Sequence, residues 1–369
     1  MTASGSNQPF LMASSIDPVE EVLVVASPLQ AAFVEELAGC LEGFAPLTQL
    51  SPAWGDTPSD LWIQDALEIG WRLGGGTISV ASLPPLRGGH GGFAKALDAG
   101  ARAFCSGRGI DIVLQAEPRE TDRWFDWYGN LEVSPPCTSA SGREFPYGRV
   151  LTARQRDMTM HPQVLEFLEE QAAQCPLLML DASWLTIGHV DELVQFLPSS
   201  SARRTIALLP SPHAARVELE RALREGATYE PREMPAPLDR ALSLDELIDV
   251  ARSEENRLIE MAMGETADIL ATGLGLDEED FRHLPAVFHE GVSVTPNPVN
   301  CLSVNGLAVF PALHGPALDG EDVLQRCVER LVASRRCRPV FVDQWDAQHM
   351  RHGEVHCATN AIRRPGWAF

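Results

Sequence analysis

The sequence predicts an α/β protein, on three observations. Short apolar runs that read as strands alternate with helical patterns along the chain. No composition break or linker divides the body, which favours one large domain. The 369 residues are 45% apolar, 22% charged and 7% aromatic, a globular balance that argues against a disordered, collagenous or coiled-coil chain.

Residues 1–18 are polar and irregular and read as a loose leader ahead of a single domain over 19–369. Residues 20–27, EEVLVVAS, form an apolar run that predicts a buried strand. Pro28 then opens a helix to about residue 43, with Phe33, Leu37 and Leu41 at helical spacing. Residues 44–60 read as loop, 77–83 as strand, and the Pro- and Gly-rich 84–92 as loop. Beyond them, 164–173 predicts a helix, and 176–180, 193–197 and 205–209 predict strands. Helical patterns follow over 214–224 and over 242–271, the latter with a break near Gly264. A last helix is expected over 321–333 and a last strand over 340–342. This pattern fits a doubly wound sheet and a radial set of βαβ units equally. No GxGxxG follows a strand and there is no P-loop, so nucleotide binding lacks support.

Charge narrows the partners. The formal net charge of −22 repels phosphate backbones and anionic lipid, which argues against nucleic acid and membrane surfaces. It suits a cationic substrate. Lys95 is the single lysine, and the other basic side chains are arginines. No apolar run is long enough to span a bilayer, and the first twenty residues lack the pattern of a signal peptide, so the cytoplasm is the default compartment. The 8 cysteines show no CxxC pair, and a chain this large does not depend on disulfides, so they read as free thiols.

Four stretches look unlike scaffold: SDLWIQDALEIGW from Ser59, YGNLEVSPP from Tyr128, SWLTIGHVDELVQFLP from Ser183 and RHGEVHCATN from Arg351. Singly, each has a plain reading: His189 as a core histidine, Asp191 as a local cap, Asp65 and Glu68 as a solvated helix face, Cys357 as a buried thiol. Together they point to chemistry. A cysteine nucleophile needs a cationic neighbour or a base, and a histidine serves as acid or base near neutral pH. Acyl transfer builds negative charge and calls for donors, so extra aspartates would oppose it. A guanidinium is cationic and planar and binds carboxylates through paired N–H groups. Two aspartates, a cysteine and a histidine therefore point to attack on a guanidinium carbon.

These stretches closely resemble the catalytic domain of the protein-arginine deiminases, within the guanidino-group-modifying (pentein) superfamily, from about Pro9 to the end. The resemblance implies a five-fold pseudosymmetric α/β propeller with the active site in its central channel. It implies that Cys357 is the nucleophile, that His189 protonates the departing ammonia and then activates water, and that Asp65 and Asp191 hold the guanidinium. Trp62 would pack along the aliphatic part of the substrate arginine and Arg87 would grip the substrate backbone. Arg351 and His352 would line the rim. Animal members are calcium-activated, and the resemblance implies one Ca²⁺ site from Gln64, Glu68, Glu132 and the carbonyls of Tyr128 and Leu131. Oxygen-only ligands suit that hard cation. Ala66 stands where a neighbouring second calcium site expects an acid, so that site is expected to be absent, as are the immunoglobulin-like domains of animal members.

The implied reaction converts peptidyl-arginine to peptidyl-citrulline and ammonia, and the protein's own 28 arginines are potential targets. The alternatives are a hydrolase of free arginine, agmatine or methylarginine, a catalytically silent binding module, and a cysteine peptidase or amidase.

Overall fold

The computed structural model describes residues 9–50, 60–72, 80–83, 91–113, 124–200, 205–334 and 336–367. Among these, one connectivity recurs in five sheets. A first strand pairs antiparallel with a second, a helix crosses over, and a third strand pairs parallel with the second. An antiparallel pair can be joined in any way, while the parallel pair demands a crossover.

In the first such sheet, Glu68–Arg72 pairs with Val80–Leu83, and Asp111–Ile112 follows the helix Gly91–Arg108. In the second, Glu132–Val133 pairs with Val150–Arg154, and Leu178–Asp181 follows the helix Pro162–Gln171. The third joins Gln195–Pro198, Thr205–Ser211 and Phe281–Pro285, its crossover swollen to three helices: Pro212–Arg224, Leu244–Ala251 and Glu254–Leu274. The fourth joins Leu302–Val304, Leu307–Pro311 and Arg338–Val342 around the helix Val323–Val332. The last sheet takes its first strand, Thr359–Arg363, from one end of the chain. Its other strands, Val19–Val25 and Leu47–Leu50, come from the opposite end and flank the helix Ala31–Leu41.

From the second of these sheets through the last, the second strand is largely buried, as expected where both faces are covered. Leu23, Leu151, Leu208 and Val309 have no exposed surface. Each crossover helix lays an apolar stripe on its sheet, as Phe33, Leu37 and Leu41 do against Val22 and Val24.

Four expectations need correction. Residues 44–60 are not loop throughout: Leu47–Leu50 is a strand, defined by its parallel pairing with Val22–Val25 and not by a pattern of its own. Residues 9–18 are not a loose leader: Phe10–Met12 is buried and pairs antiparallel with Glu68–Arg72, because its three large apolar side chains supply an edge strand with a core face. Arg363 clasps the segment behind it by donating to the carbonyls of Ser15 and Asp17. The long helical stretch breaks at Ser253, not at Gly264. Ser253 leaves the helix and caps the next one by accepting from Asn256 N, whereas Gly264 sits inside that helix. Residues 84–92 were expected to be loop throughout, yet the helix already begins at Gly91.

Candidate active site

The segment just ahead of each first strand carries a polar residue into one buried region. Asp65 lies in the single turn Ile63–Ala66, ahead of Glu68–Arg72. Gly129 and Asn130 end a 3-10 turn ahead of Glu132–Val133. His189 and Asp191 lead into Gln195–Pro198. Asn300 and Cys357 each stand two residues before their strands, Leu302–Val304 and Thr359–Arg363. Residues far apart in sequence converge because the same position in each sheet converges.

Asp65 Oδ1 lies 3.5 Å from His189 Nδ1 and accepts from Gly129 N at 3.3 Å. A side chain at Gly129 could not fit, since a Cβ there would lie 2.5 Å from His189 Nδ1 and 2.7 Å from Asp65 Oδ1. His189 Nε2 meets the Trp124 carbonyl at 2.7 Å, which makes Nε2 the protonated nitrogen, as a carbonyl only accepts. Trp127 packs edge-on against the imidazole.

Cys357 Sγ lies 3.6 Å from Asp191 Oδ2, and that same oxygen pairs with His356 Nδ1 at 2.9 Å. Asp191 Oδ1 is buried and has no hydrogen-bond partner among the described residues. Asn300 Nδ2 donates to Cys357 Sγ at 3.2 Å, and Asn300 Oδ1 accepts from Cys357 N at 3.2 Å. Gln64 N donates to the Cys357 carbonyl, tying the Asp65 turn to the cysteine loop.

The charges follow from this packing. Burial alone would depress the His189 imidazolium, but the carboxylates of Asp65, Asp191 and Glu192 outweigh it and raise its pKa. Burial, then the anionic Asp191 and Asp65, push the Cys357 thiol well up. Both shifts favour the protonated forms, imidazolium and thiol. A cation placed between the aspartates would lift part of the penalty on the thiolate.

A cavity lies beside this region. Gln64, Glu68, Leu131 and Glu132 line it together with His356 and Arg363. Gln64 Nε2 donates to Glu68 Oε2 at 3.1 Å. Burial and the neighbouring Glu132 push Glu68 well up, and burial raises Glu132 as well. Tyr128 is not among the residues lining it, and its carbonyl accepts from Leu131 N. Among the described residues no three His, Cys, Asp or Glu side chains gather as a metal cluster.

Trp62 is partly buried and its ring abuts Gly353, where a Cβ would lie 2.5 Å away. Arg351 NH1 donates to the carbonyls of Asp346 and Ala347, so much of that guanidinium serves its own loop. His352 takes a left-handed backbone, and burial lowers its pKa. Arg87 lies outside the described residues. Asn300, His356 and the Trp124 carbonyl escaped the reading of the sequence. His356 lay inside a recognised motif, and Asn300 lay in NPVNCLSVNG, where only its place before a short strand could have marked it.

The fold is that of deiminases acting on guanidino compounds. The chain matches the structure of C. jejuni agmatine deiminase with a TM-score of 0.57 and 12% identity, covering 99% of each chain. It matches a putative arginine deiminase from Porphyromonas gingivalis with a TM-score of 0.55 and 14% identity, covering 97% and 98%. Within that class, the family profile described as protein-arginine deiminase (PAD) matches residues 7–368, and the chain belongs to that family of hydrolases acting on C–N bonds. Protein-arginine deiminase type-3 of Rattus norvegicus is 31% identical, over 98% of this chain and 55% of its own length. The type-4 protein of the same organism is 28% identical, over 97% and 54%. The chain thus spans about half the length of the curated relatives it matches. Among the described residues no helix is long and apolar enough to cross a membrane.

Proposed function

We propose that this chain hydrolyses the guanidinium of arginine held within a peptide or protein, giving citrulline and ammonia through a covalent adduct on Cys357. The observation that carries the reading is Asp191 Oδ1, a buried carboxylate oxygen without a partner beside a thiol. An unpaired buried acceptor is costly, and a guanidinium N–H is the donor that would satisfy it.

The steps follow from the placement of the groups. The guanidinium enters between Asp65 and Asp191 and neutralises the carboxylates that hold the proton on Cys357, and that proton leaves to solvent. Sγ bonds to the guanidinium carbon, and one C=N electron pair moves onto nitrogen. His189 gives that nitrogen its Nδ1 proton, since Nε2 is committed to the Trp124 carbonyl. The C–N bond breaks, ammonia leaves and an amidino-thioether remains. His189, now neutral, takes a proton from water, which adds to the same carbon. The C–S bond then breaks, its electron pair returns to sulfur, the hydroxyl proton of the adduct passes to that sulfur, and neutral citrulline departs. One water is consumed, one ammonia is released and nothing is oxidised.

Family membership favours peptidyl arginine, since the relatives are named for protein arginine. In this reading Trp62 lies along the substrate side chain, Arg87 holds its backbone, and Arg351 and His352 border the entrance. The arginines of the chain itself are further targets, to be seen as mass shifts on incubation. Five sheets of one connectivity, each sending one approach segment to the site, support a radial five-unit arrangement.

A calcium ion would be held by Gln64, Glu68, Glu132 and the Leu131 carbonyl, with Tyr128 contributing its second lone pair. Oxygen donors around two buried carboxylates fit a hard divalent cation. When bound, it would neutralise the acid pair and fix Gln64, the neighbour of Asp65.

Citrulline release from benzoyl-arginine ethyl ester, beside free arginine and agmatine, tests the reading. Release from the blocked ester should fall at least about a thousandfold in Cys357→Ala. Turnover confined to free arginine or agmatine would move the protein to small substrates, and release that ignores Cys357 would remove the covalent step.

A further inference from the structure

We propose that Asn300 is a positioning residue for the nucleophile: its side-chain amide holds Cys357 Sγ at the end of a hydrogen bond and so fixes where the sulfur attacks. The proposal rests on the reading of Cys357 as nucleophile.

Asn300 is 1% exposed and bonds with every polar atom it has. Nδ2 donates to Cys357 Sγ at 3.2 Å and reaches the Asp191 carbonyl at 3.4 Å. Oδ1 accepts from Cys357 N, and the Asn300 carbonyl accepts from His356 N, both at 3.2 Å. The amide orientation is not arbitrary. Cys357 N only donates and the Asp191 carbonyl only accepts, so the nitrogen must face the sulfur.

The donor points at the atom that becomes charged. A thiol can give its proton to Asp191 Oδ2, but the thiolate formed next needs donors, and both neighbouring aspartates supply only acceptors. The Asn300 amide is the side-chain donor the structure places on the sulfur, beside a backbone hydrogen bond from Glu354. It is also held from behind. Asn300 N donates to the Asn297 carbonyl, Asn297 Nδ2 donates to the Glu192 carbonyl, and Asn297 N donates to Glu354 Oε1. The turn carrying His189 and Asp191 and the loop carrying Cys357 are therefore stitched to one frame. Asn300 stands two residues before the fourth sheet's first strand, the place Cys357 takes before the last sheet's first strand.

The test compares Asn300→Asp and Asn300→Ser with the wild-type protein. Aspartate keeps the shape and the acceptor for Cys357 N but removes the donor; serine restores a shorter one. Two readouts are taken on folded protein, checked by circular dichroism. The first is steady-state citrulline release, with kcat and KM separated. The second is the alkylation rate of Cys357 by iodoacetamide, a neutral electrophile, followed by peptide mass mapping and needing no deiminase substrate. Asn300→Asp is expected to lower kcat by about 10- to 100-fold, the worth of one hydrogen bond to a charged group, with KM changed less than about threefold. Alkylation should slow in parallel, and Asn300→Ser should recover part of both. Wild-type alkylation rates in Asn300→Asp, or a loss confined to KM, would overturn the proposal. Slowed alkylation of a protein that deiminates nothing would leave Asn300 in place and overturn the deiminase reading instead.

Discussion

At the scale of residues, the site is built on unequal charge. Asp65, Asp191 and Glu192 surround one imidazole, and Asp65, Asp191 and His189 are buried while Glu192 keeps some exposure. Glu192 shows the cost. Burial drives its carboxyl up to about 7 despite the nearby His189 cation and hydrogen bonds from Gly188 N and His189 N. A carboxyl whose folded pKa is raised stabilises fully below its unfolded value, and that contribution is lost as pH rises through about 7. Glutamine keeps an amide oxygen for the two backbone donors and removes the titration. Glu192→Gln should therefore gain on the wild type by a few degrees of Tm as pH rises from acid to mildly alkaline. Thermal scans across that range check the sign: an advantage growing toward acid pH would refute it.

At the scale of elements, the short turns carry more than the helices. Asn130 is fully buried and acts as a pin. Its Oδ1 accepts from Ala153 N and Val190 N, and its Nδ2 donates to the Ala153 carbonyl. One side chain thereby joins the turn bearing Gly129, the central strand of the second sheet and the turn bearing His189. Asn130→Ala strands these backbone groups and should cost about 2–4 kcal/mol of stability in chemical denaturation, with activity falling further than stability because Gly129 and His189 lose their spacing. A variant as stable as the wild type would show that water replaces the pin. Helices were largely legible from periodicity and caps, since both are local. The two-residue strands were not, because Glu132–Val133 is defined by its partner Val150–Leu151 and not by any pattern of its own.

At the scale of the whole molecule, closure and charge govern behaviour. Thr359–Arg363 pairs with Val19–Val25, so the strand following Cys357 is held by the opposite end of the chain. The loop bearing Cys357 therefore depends on the complete fold. The net charge of −22 favours cations in general, and the calcium proposed above would sit at the buried acids Glu68 and Glu132. Arg363 faces the same cavity and already offsets part of that charge. Calcium should accordingly bind at the weak end of the protein range, on the order of 10⁻⁵ to 10⁻³ M, and raise Tm as its concentration passes Kd. Glu132→Gln should abolish heat uptake or release in calorimetric titration and the calcium-dependent Tm rise. A calcium response surviving in that variant would place the ion elsewhere.

The sequence by itself determined the residue types of the chemistry and the local frames that carry them. HVDE and HC lie within single turns, and their neighbours specify those turns through caps, glycines and apolar anchors. Only the tertiary structure decided the pairings. Asp65 meets His189, Cys357 meets Asp191 at a separation of 166 residues, and Asn300 meets both Asp191 and Cys357. Such contacts leave no periodic trace in a chain. They follow from five sheets of one connectivity delivering the same position to one place, a property of packing that no segment carries alone.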